Sequence, residues 1–87
     1  MADIWYLYVV RCSDDTLYTG ITTDPKRRLE EHNTSDRGAK YTSSRRPMKE
    51  MVLLGNFTEK GAALRAEARF KKLTRREKIM YVNEGGF

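Results

Sequence analysis

Five side chains in this 87-residue chain have the types and spacing to act on a phosphate group: Tyr8, Tyr18, Arg28, His32 and Glu67. Arg28 and His32 stand four residues apart, so on a helix they share one face. A guanidinium with an imidazole one turn later, beside phenols, is a phosphate-binding arrangement with a proton relay. Glu67 has Ala63, Ala66 and Phe70 as helical neighbours, which places it beside or within an apolar stripe. Acids there are rare unless paired or metal-bound. An ion pair with Arg28 or a nearby lysine is the plainer account, and a metal site is the other.

The elements that must position these residues follow from the pattern. Residues 4 to 11, "IWYLYVVR", are β-branched and aromatic, too short for a typical helix, and read as a buried strand. The polar cluster "CSDDT" separates them from Leu17 to Ile21, which makes the pair a hairpin. Asp14 and Asp15 are turn residues, since Asp bonds nearby backbone N–H groups. Tyr6 and Tyr8 share a strand face, and a short turn sets Tyr18 across from that face. Gly20 follows where a close backbone approach is useful.

Asp24-Pro25 is a helix start, with Asp24 as N-cap and Pro25 at the first helical position. That helix runs to about Asn33, and Leu29 must face the core. Residues 34 to 50 form a long polar loop, a length that is often functional. Met51 to Phe57 reads as a third strand with Gly55 at a bulge. Thr58 reads as the N-cap of the next helix, whose apolar positions include Ala63, Ala66, Phe70 and Leu73. Thr74 and Glu77 form a capping box for a last helix to about Val82, stopped by Gly85-Gly86. The expected fold is α+β: a small three-stranded antiparallel sheet flanked by helices, in the order ββαβαα, as a single domain over residues 1 to 87.

Lysine and arginine total 17 against 12 acidic residues, a net charge of +5. A small basic domain favours polyanions, nucleic acid before an acidic membrane surface. The only cysteine is Cys12, which excludes an internal disulfide and a zinc cluster. No apolar run has the length of a membrane span or signal-peptide core, so a cytoplasmic protein is expected.

In this frame "YLY" at Tyr6 to Tyr8 and "YTG" at Tyr18 to Gly20 resemble the paired motif of the GIY-YIG nuclease superfamily. Arg28, His32 and Glu67 fall in the order and at the spacings of that family's arginine, its His or Tyr, and its metal-binding glutamate. "HN" at His32-Asn33, "AKYT" at Ala39 to Thr42, "RRP" at Arg45 to Pro47 and Ala63 to Glu67 resemble its small stand-alone bacterial members. One departure is Tyr6, which stands where the first motif has glycine. Asn83 is the only candidate for the asparagine that some relatives carry after the glutamate helix.

The resemblance implies hydrolysis of phosphodiester bonds in nucleic acid, DNA above all, with one Mg²⁺ or Mn²⁺ ion held by Glu67 and waters. Arg28 would meet the charge that develops on phosphate oxygens. Tyr8 or Tyr18 would activate water with His32 assisting, which requires a phenol lowered by about 3 pH units, or ~4 kcal/mol of favourable interaction with the phenolate. Lys40, Arg45, Arg46 and Lys49 are candidates for phosphate contacts, with Tyr41 to stack on a base and Gly20 for close approach. Arg75-Arg76 reads as a solvated face. Without a base-reading domain, sequence specificity should be low, as for a structure-tolerant enzyme of DNA repair or recombination. The competing accounts are a catalytically silent binding or accessory module, and a chain that needs a protein partner for targeting.

Overall fold

The computed structural model describes residues 3–34 and 45–84. Strands β1 (Trp5–Arg11) and β2 (Leu17–Thr22) are followed by helix α1 (Pro25–Thr34), strand β3 (Glu50–Phe57), and helices α2 (Lys60–Lys71) and α3 (Arg75–Glu84). The strands form one antiparallel sheet in the order β2-β1-β3, so the expected ββαβαα architecture holds.

Turn chemistry closes the hairpin. The Asp14 carboxylate accepts from the Thr16 N–H at 3.1 Å and the Thr16 hydroxyl at 2.6 Å. Asp15 takes the left-handed conformation at φ 65, which Asp tolerates better than most residues. Two further turn contacts reach the rest of the chain, Asp14 to Arg45 and Asp15 to Lys49. At the head of α1, Asp24 accepts from the Arg27 N–H at 3.1 Å, the expected N-cap.

Because strand side chains alternate, the sheet has two faces. One carries Leu7, Val9 and Leu54, buried against Ala66, Phe70 and Val82 of the last two helices. The other carries Tyr8, Val10 and Cys12, packed with Met48, Leu29 and Tyr18. The β3 bulge serves the first face. Leu7 pairs with Gly55 but Tyr8 pairs with Leu53, so Leu54 is an extra residue. A one-residue insertion switches strand parity. It lets Val52, Leu54 and Phe57 all join the core, where strict alternation would present Asn56 in place of Phe57.

Thr58 is not the N-cap of α2. That position is Glu59, in extended conformation and without a side-chain cap bond. The helix is held instead by Ala63, Ala66 and Phe70 on the core. The capping box of α3 is present in both directions, Thr74 N–H to Glu77 at 3.0 Å and Glu77 N–H to the Thr74 hydroxyl at 3.2 Å. The glycines expected to stop α3 lie outside the described residues. Among the described residues no helix is long and apolar enough to cross a membrane.

Candidate active site

The face of the sheet beneath α1 brings four of the five candidates together. Tyr8 pairs with Gly20 and Val10 with Tyr18, so the two tyrosines lie diagonally on one face of neighbouring strands. Helix α1 docks on that face through Leu29, which carries Arg28 and His32 toward the phenols. His32 sits deeper than a boundary residue. It is fully buried, as is Tyr8 to within 1%.

A hydrogen-bond chain links them. The Arg28 Nε–H donates to the Tyr8 hydroxyl at 3.3 Å, and the Tyr8 oxygen lies 2.9 Å from His32 Nε2. Arginine can only donate, so the phenol oxygen accepts from it. Toward His32 the hydroxyl donates in the Nδ1–H tautomer and accepts in the Nε2–H tautomer. The Tyr18 ring meets the His32 ring edge-on at 5.3 Å between centroids.

Burial, then the nearby Arg28 charge and that of Arg46, bring the His32 imidazolium down to about 4, against a partial counter-effect from Glu31. The imidazole is therefore neutral at neutral pH. Burial also raises the Tyr8 phenol above its ordinary value. The Arg28 hydrogen bond and charge oppose the rise, while Tyr18 and Glu67 add to it. The expectation of a phenol lowered by Arg28 is thus overturned for Tyr8, because desolvation outweighs the guanidinium.

Gly20 has a specific reason to be glycine. A Cβ there would lie 2.5 Å from the Tyr8 hydroxyl and 2.7 Å from Cζ. The close approach expected at this position is made by the Tyr8 ring, which lies over the bare backbone of β2.

Sequence reasoning missed Glu31. It accepts from Arg28 Nη1 at 3.2 Å and holds the guanidinium at partial burial. Its spacing, three residues after Arg28 on a helix, was the available signal. Asn33 was noted only as part of "HN"; its side-chain oxygen accepts from the Met48 N–H at 2.7 Å. This bond ties the chain returning from the loop to the end of α1. Arg46 does the same, donating from Nε to the His32 carbonyl at 2.6 Å. It serves as a cap for carbonyls that the helix end leaves open.

Glu67, on α2, is the fifth candidate. Its side chain is 18% exposed and pairs with Lys71 one turn on, at 3.3 Å. Its charge adds the smallest of the contributions that raise the Tyr8 phenol. Of the ion pairs anticipated for it, the lysine pair is the one formed; Arg28 pairs with Glu31. Among the described residues no group of three or more His, Cys, Asp or Glu is placed to hold a metal. A lone carboxylate is a donor set for a hard, mostly hydrated ion such as Mg²⁺, not for a protein-caged one.

The nucleic-acid candidates are spread wider. Arg45 pairs with Asp14 and Lys49 with Asp15, both at the hairpin turn, while Arg46 caps α1. Lys40 and Tyr41 lie outside the described residues. Asn83 lines a groove with Arg75 and Leu17, by the hairpin turn.

A family model described as the GIY-YIG catalytic domain matches residues 4–80. The chain belongs to the GIY-YIG family. GIY-YIG domains are nuclease domains, which makes nucleic acid the implied substrate class, and these nucleases generally use a divalent metal. Similar relatives include "UPF0213 protein SAG0778" of Streptococcus agalactiae, 53% identical over 79 residues, covering 91% of this chain and 88% of that one. "UPF0213 protein YazA" of Bacillus subtilis is 44% identical over 79 residues, covering 91% and 78%. The solution NMR structure of the UPF0213 protein BH0048 from Bacillus halodurans is 40% identical, covers 92% of this chain and 83% of that one, and superposes with a TM-score of 0.53. This GIY-YIG chain is thus similar in extent, as well as in motif, to small bacterial proteins of the family.

Proposed function

We propose that this protein is a metal-dependent endonuclease that hydrolyses phosphodiester bonds in DNA. It acts in the cytoplasm as a single domain, with low sequence specificity and tolerance of substrate structure, in repair or recombination. The observation that carries the proposal is the buried chain from Arg28 through Tyr8 to His32, with Tyr18 against the same imidazole. A purely structural core has little use for three hydrogen-bonded ionisable groups on one face.

The mechanism follows from what each group can hold. Arg28 is fixed by Glu31 and Tyr8, so its donors are pre-aimed at a phosphate whose charge grows during attack. Tyr8 is a poor base in the resting site. Burial raises its phenol above the ordinary value and brings His32 down to about 4, so moving the Tyr8 proton onto His32 is strongly uphill. Tyr8 therefore orients Arg28 and His32. Tyr18, only partly buried, is the phenol placed to meet water at the surface of the site. Glu67 would hold the divalent ion, which when bound supplies charge stabilisation to phosphate and leaving oxygen. Lys71 is displaced from Glu67 or shares it.

Lys40, Tyr41, Arg45, Arg46 and Lys49 remain the proposed nucleic-acid contacts, with Gly20 acting through the Tyr8 ring it seats. Arg45 and Lys49 would exchange exposed aspartate partners for phosphates, at little cost because such pairs are weak. The Glu67–Lys71 pair favours the second account, a silent binding module, since it satisfies the acid without a metal.

Cleavage of single-stranded, duplex, flapped and branched DNA with and without Mg²⁺ tests the proposal against Glu67→Ala, Tyr8→Phe and Tyr18→Phe. Mg²⁺-dependent cleavage lost in Glu67→Ala supports the nuclease. Binding without cleavage in the wild type supports the module.

A further inference from the structure

Behind the β2 edge, on the opposite sheet face from Tyr18, two adjoining concavities of about 150 and 180 Å³ share Leu17 and Arg75. Arg11, Asp15, Ile79 and Asn83 complete the first, and Thr16 and Lys78 the second. We infer that this groove binds a phosphate of the nucleic-acid strand at a distance from the scissile bond, with Arg75 and Lys78 as its cationic walls. The inference rests on the chain acting on nucleic acid and adds a second contact surface to it.

Among the cations lining the groove, Arg75 and Lys78 stand apart from Arg11. Arg11 is paired with Glu50, and Asp15 with Lys49. Arg75 and Lys78 have no ion-pair partner among the described residues. Arg75 is nevertheless held in place, because its Nη2 donates to the Asp15 carbonyl at 3.1 Å. That bond uses one donor of the guanidinium, and the Asp15 carboxylate, itself paired with Lys49, meets the Arg75 charge only in part. A pre-oriented guanidinium loses less freedom when it grips a phosphate.

The groove's character comes from side chains and not from the end of α3, where Thr74 and Glu77 satisfy each other. Leu17 and Ile79 give an apolar floor on which a sugar or base edge can rest, and Asn83 offers an amide at the rim. Position supports the same conclusion. Leu17 and Tyr18 are consecutive on an edge strand, with Tyr18 on the site face and Leu17 on the groove face. A strand passing over the β2 edge meets both. The occupant is a phosphodiester backbone, since cationic walls over an apolar floor repel a cation and leave a neutral peptide's charges unmatched.

The test is binding of a labelled single-stranded DNA by the intact chain, without divalent metal, between about 50 and 200 mM salt. Arg75→Gln/Lys78→Gln should weaken binding about tenfold through lost charge-assisted bonds. It should also flatten the plot of log K against log[salt] by ~0.7, the value for one phosphate contact on a single strand. Arg65→Gln/Arg69→Gln removes equal charge from α2 and should leave that slope near wild type. Equal flattening in both pairs, or none in the groove pair, overturns the inference, as does a wild type that binds no DNA. Should the double variant unfold, Lys78→Gln alone carries the same test. Groove-dependent binding without any Mg²⁺-dependent cleavage removes the nuclease reading and keeps the groove; cleavage with an unchanged slope does the reverse.

Discussion

Replacing Gly20 with alanine should damage this protein out of proportion to one methyl group. The added Cβ would meet the Tyr8 hydroxyl at 2.5 Å, Cζ at 2.7 Å and Cε1 at 3.0 Å, where ordinary contact begins at 3.4 Å. The ring is 1% exposed, and its hydroxyl is bonded to His32 at 2.9 Å, so it has no free volume to retreat into. Overpacking of this kind costs about 1–3 kcal/mol. Loss of the Tyr8–His32 bond leaves a buried acceptor unpaired for a further ~1–3 kcal/mol. Against these stands a gain of about 0.4–1 kcal/mol from alanine's smaller unfolded-state freedom. The net is a destabilisation of roughly 1–6 kcal/mol, and a domain of this size loses about 4–8 °C of Tm per kcal/mol. Thermal unfolding followed by circular dichroism should therefore show Tm falling by at least about 4 °C. Tyr8→Phe, which deletes the nearest atom, should recover part of the loss when combined with Gly20→Ala. A Gly20→Ala protein with wild-type Tm would refute the seating of the ring on the β2 backbone. Additive losses in the double variant would refute the hydroxyl contact as its cause.

Three further outcomes follow from the site. Because His32 titrates at about 4 folded and 6.5 unfolded, the unfolded chain binds the extra proton between those values, and stability is lost as pH falls through this window. Urea unfolding should show up to about 3 kcal/mol of that loss in the wild type and not in His32→Gln. Asp14, Asp15 and Glu77 are each held below their ordinary values by hydrogen bonds, so their contributions lie at lower pH. Glu31→Gln should lower the cleavage rate by ~10- to 100-fold by releasing Arg28 from its aim. Its stability should change by under ~1 kcal/mol, and an unchanged rate would remove Glu31 from the site. Asn33→Ala leaves the Met48 N–H without its partner and should cost about 1–3 kcal/mol in urea unfolding.

Local chemistry made much of this architecture legible in the sequence. Asp24-Pro25, the Asp14 turn and the Thr74–Glu77 box each act within a few residues, so their signals survive without tertiary information. The Gly55 bulge was legible for the same reason, as a glycine inside an apolar run. Thr58 failed because a good capping residue one position early loses to the packing of Ala63, Ala66 and Phe70, which sets where α2 begins. In the site, Arg28 and His32 could be paired from helix spacing, but burial could not be read from it. Spacing fixes a face and says nothing of depth. Depth is what drives His32 to about 4 and Tyr8 upward, so the protonation states came only with the packing. Glu31 is legible only in part, because its three-residue spacing from Arg28 makes it a helical neighbour as His32 is, and an acid on a basic helix has many possible partners.

The same burial shapes how activity measurements on this protein must be read. Tyr8 belongs both to the proposed relay and to the second core, with Val10, Cys12 and Met48, and His32 is fully buried on its hydroxyl. The first core, around Phe70 and Leu54, lies on the opposite face and shares none of them. An 87-residue chain has few apolar residues to spare, so the site-face core cannot be treated as decoration. On the proposed mechanism, substitution at Tyr8 or His32 perturbs folding and chemistry together, whereas Tyr18, Glu67 and Glu31, each only partly buried, separate the two. If Tyr18→Phe loses cleavage at unchanged Tm while Tyr8→Phe loses both, the division of labour between the phenols follows: one meets the substrate, and the other holds the relay that aims Arg28. Equal behaviour of the two variants in both assays would mean that burial does not distinguish their roles.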